Sequence, residues 1–143
     1  MIRYGSIVQI DPTRCTARVQ FPDHDGVVSW WLQVLQNKTL KDRSYWMPDI
    51  GEHVACLMDE REEAGVILGA VYSEADPPPE SDPDVRRTVH HDGAIEVYDR
   101  KNHVWQLDVP DTGRIEIRIG RSSIVMTDAE VVLTAPQFRG VKG

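Results

Sequence analysis

Residues 94–135 repeat one pattern, and it limits the fold more than any other feature of the chain. Short runs of alternating apolar and polar side chains occupy 94–99, 104–109, 114–119, 123–127 and 131–135. Turn-forming clusters separate them: Arg100-Lys101-Asn102, Pro110-Asp111-Thr112-Gly113, Gly120-Arg121-Ser122 and Thr127-Asp128. A period of two places every second side chain on one face of a β-strand. Ile115, Ile117 and Ile119 thus oppose Arg114, Glu116 and Arg118; Ile95 with Val97, and Trp105 with Leu107 and Val109, follow the same rule. No helical period accompanies these strands to cover their apolar face.

A ribbon of such hairpins is marginal in water on its own. It also leaves strand edges unpaired. Burial would contribute about 1.5–3 kcal/mol per large side chain, which one thin ribbon cannot collect alone. Copies wrapped around a common axis would point the apolar stripes inward and pair the edges. The residues expected in such a core are Ile95, Val97, Trp105, Leu107, Val109, Ile115, Ile117, Ile119, Ile124 and Met126. The pattern does not choose between two copies and three.

The front of the chain is also β-rich. Strands are expected at 2–11 (with a bulge or bend at Gly5), 14–21, 27–35, 53–58 and 65–73, with a short one at 45–47. In the second, Cys15, Ala17, Val19 and Phe21 share a face, and the run 53–58 reads as buried on both sides. Loops are expected at 22–26, 36–44 and 59–64. This spacing suggests a small closed or nearly closed barrel, and the strand count does not separate an OB fold from an SH3-like one. Residues 74–83 contain four prolines and four acids, including Pro77-Pro78-Pro79, and read as a stiff extended boundary. The expected division is a barrel at 1–73, a Pro-rich linker at 74–83 and a second all-β region at 84–143.

Charge is unevenly spread. Residues 1–82 hold 14 acidic and 7 basic side chains, and 83–143 hold 9 of each. Such an acidic front is a poor match for a phosphate backbone, whose binding depends on Lys and Arg. The start of the chain lacks the apolar segment of a signal peptide, and no run is long and apolar enough for a membrane helix, so a soluble protein made in the cytoplasm is expected. Cys15 and Cys56 lack CxxC spacing and read as two buried free thiols, with a disulfide left open.

Few residues suggest chemistry. His90-His91 are a polar strand start before they are metal ligands, since only one of two adjacent side chains can face an axis. His24 and His53 read as surface or loop residues. Residues 59–63 lack the spacing of a calcium loop and read as a solvated hairpin tip. Trp30-Trp31 invites comparison with base stacking, but alternation sends one to the core and leaves the other for a protein interface. No nucleophile elbow, phosphate loop or paired-carboxylate pattern is present, so no enzyme and no cofactor are expected.

An ordered series of motifs resembles baseplate assembly protein V of contractile-tailed phages. It comprises Val19-Gln20-Phe21-Pro22-Asp23-His24-Asp25-Gly26, Ser29-Trp30-Trp31-Leu32 and Lys38-Thr39-Leu40-Lys41-Asp42. It continues with Tyr45-Trp46-Met47-Pro48-Asp49-Ile50-Gly51-Glu52, Leu57-Met58-Asp59-Glu60 and Gly65-Val66-Ile67-Leu68-Gly69-Ala70-Val71-Tyr72-Ser73, and Asp76-Pro77-Pro78-Pro79 fits the junction that follows. Past 83 only the repeating strand pattern carries the likeness.

The resemblance implies an OB-like barrel, a C-terminal intertwined triple-stranded β-helix, and a homotrimer in the tail baseplate of a virion. It implies a central spike that punctures the bacterial envelope, crossing the outer membrane when the sheath contracts. The barrel would dock on a baseplate hub protein through Trp30, Trp31, Tyr45, Trp46 and the loop 36–44, with Lys38 and Lys41. Some members hold an iron ion near the tip with a His-x-His motif; this chain has none, its last histidine being His103. No tip metal is therefore expected, and a separate cap protein is expected on a blunt end. The competing expectation is an OB-fold module for single-stranded nucleic acid or saccharide, in which the tail only trimerises.

Overall fold

The structure, a computed structural model, describes residues 1–23 and 25–143. The expectation for His24 lies outside the described residues. The chain is all-β and divides into two compact units, Met1–Pro77 and Pro78–Gly143.

The first unit is built from β1 (Ile2–Asp11), β2 (Thr16–Phe21), β3 (Val27–Val28), β4 (Leu32–Val34), β5 (His53–Met58) and β6 (Gly65–Ala70). Its sheet order is β1-β5-β6-β4-β2-β3, and β1 also pairs with β2. That last pairing closes β1, β2, β4, β6 and β5 into a five-stranded barrel, the OB-like architecture. All ring pairings are antiparallel except β4–β6, where Gln33 meets Val66 and Val34 meets Ile67 in parallel.

Strand β1 closes the ring because it changes neighbour along its length. Ile2–Ser6 pair with β5, and Ser6–Asp11 pair with β2. An irregularity between Ile7 and Gln9 re-aims the strand, the usual effect of a bulge. The bulge expected at Gly5 is therefore displaced, since Gly5 pairs regularly with Val54. Gly5 is needed for another reason: a Cβ there would meet the Gln20 carbonyl oxygen and the Val19 side chain.

The core comprises Ile7, Ala17, Val19, Phe21, Leu32, Val54, Cys56, Met58 and Ile67, with Ile10, Val34 and Met47 packed against it. Strand β5 alternates, with Val54, Cys56 and Met58 inward and Leu57 exposed, so it is buried on one face and not on both. Cys15 leaves the expected strand face. It lies in the β1–β2 turn with φ 54° and is half-buried, while Cys56 is fully buried; both are free thiols.

The expected strand 27–35 breaks at Ser29-Trp30-Trp31. Ser29 is buried there; its N–H donates to the Val19 carbonyl (2.8 Å) and its Oγ accepts from the Val19 N–H (2.9 Å). These bonds replace ladder pairing at the corner. Residues 45–47 form no strand.

The second unit holds two three-stranded antiparallel sheets. The first is β7 (Val85–Val89), β8 (Ile95–Asp99) and β9 (Val104–Asp108). The second is β10 (Arg114–Ile119), β11 (Ser122–Thr127) and β12 (Val131–Thr134). Strand β7 was not expected. His90 and His91 do not begin a strand; they sit in the β7–β8 hairpin turn, which the His90 N–H closes on the Ala94 carbonyl at 2.8 Å. Residues before β7 fold onto it, as Glu80 Oε2 accepts from Arg87 Nε at 3.0 Å.

Candidate interaction surfaces

Cross-strand register decides which side chains share a face. In the second sheet of the C-terminal unit, Ile115 pairs with Met126, Ile117 with Ile124 and Ile119 with Ser122. Ile124 in turn pairs with Leu133, and Met126 with Val131. Ile115, Ile117, Ile119, Ile124, Met126, Val131 and Leu133 therefore form one apolar face. Most of it stands open within the unit: Ile117 is 61% exposed and Ile119 is 81% exposed, while Ile115 is half-buried.

The opposite face is polar along β10. Arg114 and Arg118 both reach Glu116, at 2.6 and 3.2 Å. The hydrogen bond from Arg118 leads, and the charges of Arg114 and Arg118 add to it, in holding the Glu116 carboxyl below its usual value. One strand thus presents an apolar side and a charged side.

The first sheet is divided differently. Ile95 pairs with Asp108 and Val97 with Gln106, while Glu96 pairs with Leu107 and Tyr98 with Trp105. Ile95 and Val97 therefore lie on one face, and Trp105 and Leu107 on the other. Val97 is buried within the unit, beside its ladder partner Arg87. The Tyr98 and Trp105 rings contact each other at 5.6 Å between centroids, and Trp105 remains 66% exposed. Val109 is half-buried and lines a depression with Leu107, Ile115 and Met126.

On the barrel, Trp30 is 71% exposed, Tyr45 63% and Trp46 72%. Trp31 is half-buried, and Leu32 takes the core position beside it. Trp30 is held in place: the Ser29 hydroxyl donates to its carbonyl at 2.7 Å, and the Arg18 guanidinium lies 6.0 Å from its ring centroid. Trp30 and Trp46 line separate depressions. Tyr45 is tied to the β1–β2 turn by its hydroxyl, which donates to the Pro12 carbonyl (3.1 Å). In the loop 36–44, Lys38 pairs with Asp42 at 2.7 Å, and Lys41 is exposed with φ 67°.

Arg3 is the buried charge of the barrel, 4% exposed. Its two terminal nitrogens donate to Asp23 (2.8 Å) and Glu62 (2.5 Å), and its guanidinium lies 4.8 Å from the centroid of the Phe21 ring. The hairpin tip expected to be wholly solvated thus sends Glu62 inward to neutralise Arg3. Sequence patterning gave no signal for this clamp, because Asp23 and Glu62 are far from Arg3 along the chain. Among the described residues, no group of three or more His, Cys, Asp or Glu side chains is placed to hold a metal ion.

Residues 3–72 match the family model of the type VI secretion system/phage-baseplate injector OB domain. The chain is also similar to the spike protein of Escherichia phage P2, at 28% identity over 137 residues, covering 95% of this chain. It spans 59% of the length of that curated relative. The closed five-stranded barrel and these two likenesses agree: residues 3–72 are similar to the injector OB domain of type VI secretion systems and phage baseplates.

Proposed function

We propose that the chain is the central spike of a contractile-tail baseplate, a homotrimer that pierces the bacterial envelope by mechanical force and catalyses no reaction. The observation that carries this reading is the uncovered apolar face of β10, β11 and β12. Three sister faces turned to one axis bury it, and the Arg114–Glu116–Arg118 row remains in water. The likeness to a phage spike protein supports the same role and a place in the virion tail. Within such a trimer the strands form an intertwined β-helix, and no strand leaves without breaking contacts to two others. The barrel docks on the baseplate hub, and the needle meets the outer membrane.

The rival role, an OB module for single-stranded nucleic acid, is disfavoured by the Arg3 clamp. The depression that holds Trp30 is also lined by Arg3, Glu62 and Glu63, and its buried cation is already bound to two carboxylates. Phosphate binding depends on available Lys and Arg. Incubation of the intact protein with a short oligothymidylate at low salt separates the roles. The spike reading predicts no retarded band, whereas salt-sensitive retardation would favour the binding module. On an unheated denaturing gel, interlocked chains are expected to migrate as a trimer.

A further inference from the structure

A second cleft of the barrel has a chemistry of its own. It measures about 560 Å³ and is lined by Asp49, Ile50, Glu52, His53, Tyr72 and Asp76, among others. Ile50 and Tyr72 are each 66% exposed, and the Tyr4 ring stacks on His53 at 6.1 Å and 18°. The lining carries three carboxylates, and no Lys or Arg contributes to it.

Both walls are fixed by backbone hydrogen bonds. Gly51 N–H donates to the Ile7 carbonyl (2.7 Å) and Ile7 N–H to the Glu52 carbonyl (2.9 Å). Across the cleft, Val71 N–H donates to the His53 carbonyl (2.9 Å), and Ser73 N–H to the Asp76 carbonyl (3.1 Å). A cleft already rigid spends little entropy on binding.

We propose that this cleft receives an arginine side chain from a loop of a neighbouring, different protein. The inference rests on reading the barrel as a docking element. A guanidinium suits the lining because it stacks on aromatic faces and pairs with carboxylates through a planar fork. Charge argues against a second barrel as the occupant. Residues 1–77 carry 12 acidic and 7 basic side chains, so a sister barrel brings the same negative excess.

The test follows the ring signals of His53 and Tyr72 by NMR in the full chain, titrated with acetyl-Gly-Arg-Gly-amide and its Lys and Glu analogues. The Arg peptide is expected to move both signals to saturation, the Lys peptide less, and the Glu peptide not at all. Tyr72→Ala is expected to weaken the response about threefold, by loss of the ring contact. Asp76→Asn is expected to weaken it too and to flatten its salt dependence, and both variants should keep the native unfolding midpoint. The proposal is overturned by equal responses to Arg and Glu, by no movement at millimolar peptide, or by a Tyr72→Ala variant that binds unchanged. Signals that move on dilution of the peptide-free chain would give the cleft to a sister copy and also overturn it. A trimeric mass without peptide binding removes this inference alone; binding by a monomer removes the spike reading and leaves the cleft standing.

Discussion

Ile117 faces Ile124 across the β10–β11 ladder, and both stand open to solvent, 61% and 42% exposed. A paired set of apolar side chains with no cover is a surface awaiting a partner. Placing Asp at position 117 should expose the arrangement. Burial of an isoleucine is worth about 1.5–3 kcal/mol, so Ile117→Asp is expected to weaken association at least about tenfold per chain, read by sedimentation over a dilution series. Arg118→Ala, on the opposite face, should leave association unchanged.

Arg3 joins the first strand to two loops of the barrel. Removing it deletes two charge-assisted hydrogen bonds, to Asp23 and Glu62, and the packing of a buried side chain on Phe21. Arg3→Ala is expected to cost about 1.5–3 kcal/mol, measured by urea unfolding of the barrel transition. Arg3→Lys should restore part of that, because an ammonium keeps the charge but not the fork that serves Asp23 and Glu62 together.

Burial pushes the Cys56 thiol up from 9.0 to about 11. The thiolate is the reactive form, so Cys56 should resist a thiol reagent at pH 8 until the protein unfolds, while half-buried Cys15 reacts in the native state. The raised value also sets a sign for stability. The contribution is whole below pH 9 and is lost as pH rises through about 11, so unfolding midpoints should fall across that window, and Cys56→Ala should flatten the fall.

Much of this could be read in the sequence, and the failures have physical causes. Alternation located β1, β2, β5, β6 and β8 through β12 to within a few residues. Strand β7 escaped because Arg86 and Arg87 dilute the Val85 and Val89 signal directly after the prolines. The run 27–35 looked continuous because its residues favour strands, yet the barrel must turn a corner there, and buried Ser29 makes the turn. Alternation also grouped Ile95 and Val97 with Trp105 and Leu107. Parity within a strand cannot relate one strand's faces to the next; only register does, and it sends the two pairs to opposite sides. Alternation left one of Trp30 and Trp31 facing out without saying which, and it expected Tyr45 and Trp46 to divide in the same way, yet both of these are exposed; the Arg3 clamp and the Tyr72 cleft join residues remote in sequence.

The segment before β7 offers a local check. The backbone N–H of Asp82 leads, followed by the N–H of Ser81 and by Arg87, in holding the Glu80 carboxyl below its usual value. A depressed carboxylate stabilises above its unfolded value of 4.5, and the effect is lost as pH falls through the folded value. Glu80→Gln should therefore speed amide exchange at Ser81 and Asp82 at neutral pH and leave little further change on acidification.

The central claim is that sister chains cover the needle's apolar face, and the mass of the intact protein in solution tests it most directly. Sedimentation equilibrium should give three times 16.2 kDa, about 49 kDa, and the mass of one shortened chain when residues 83–143 are removed. A compact, well-folded particle of 16.2 kDa for the intact chain would contradict the account.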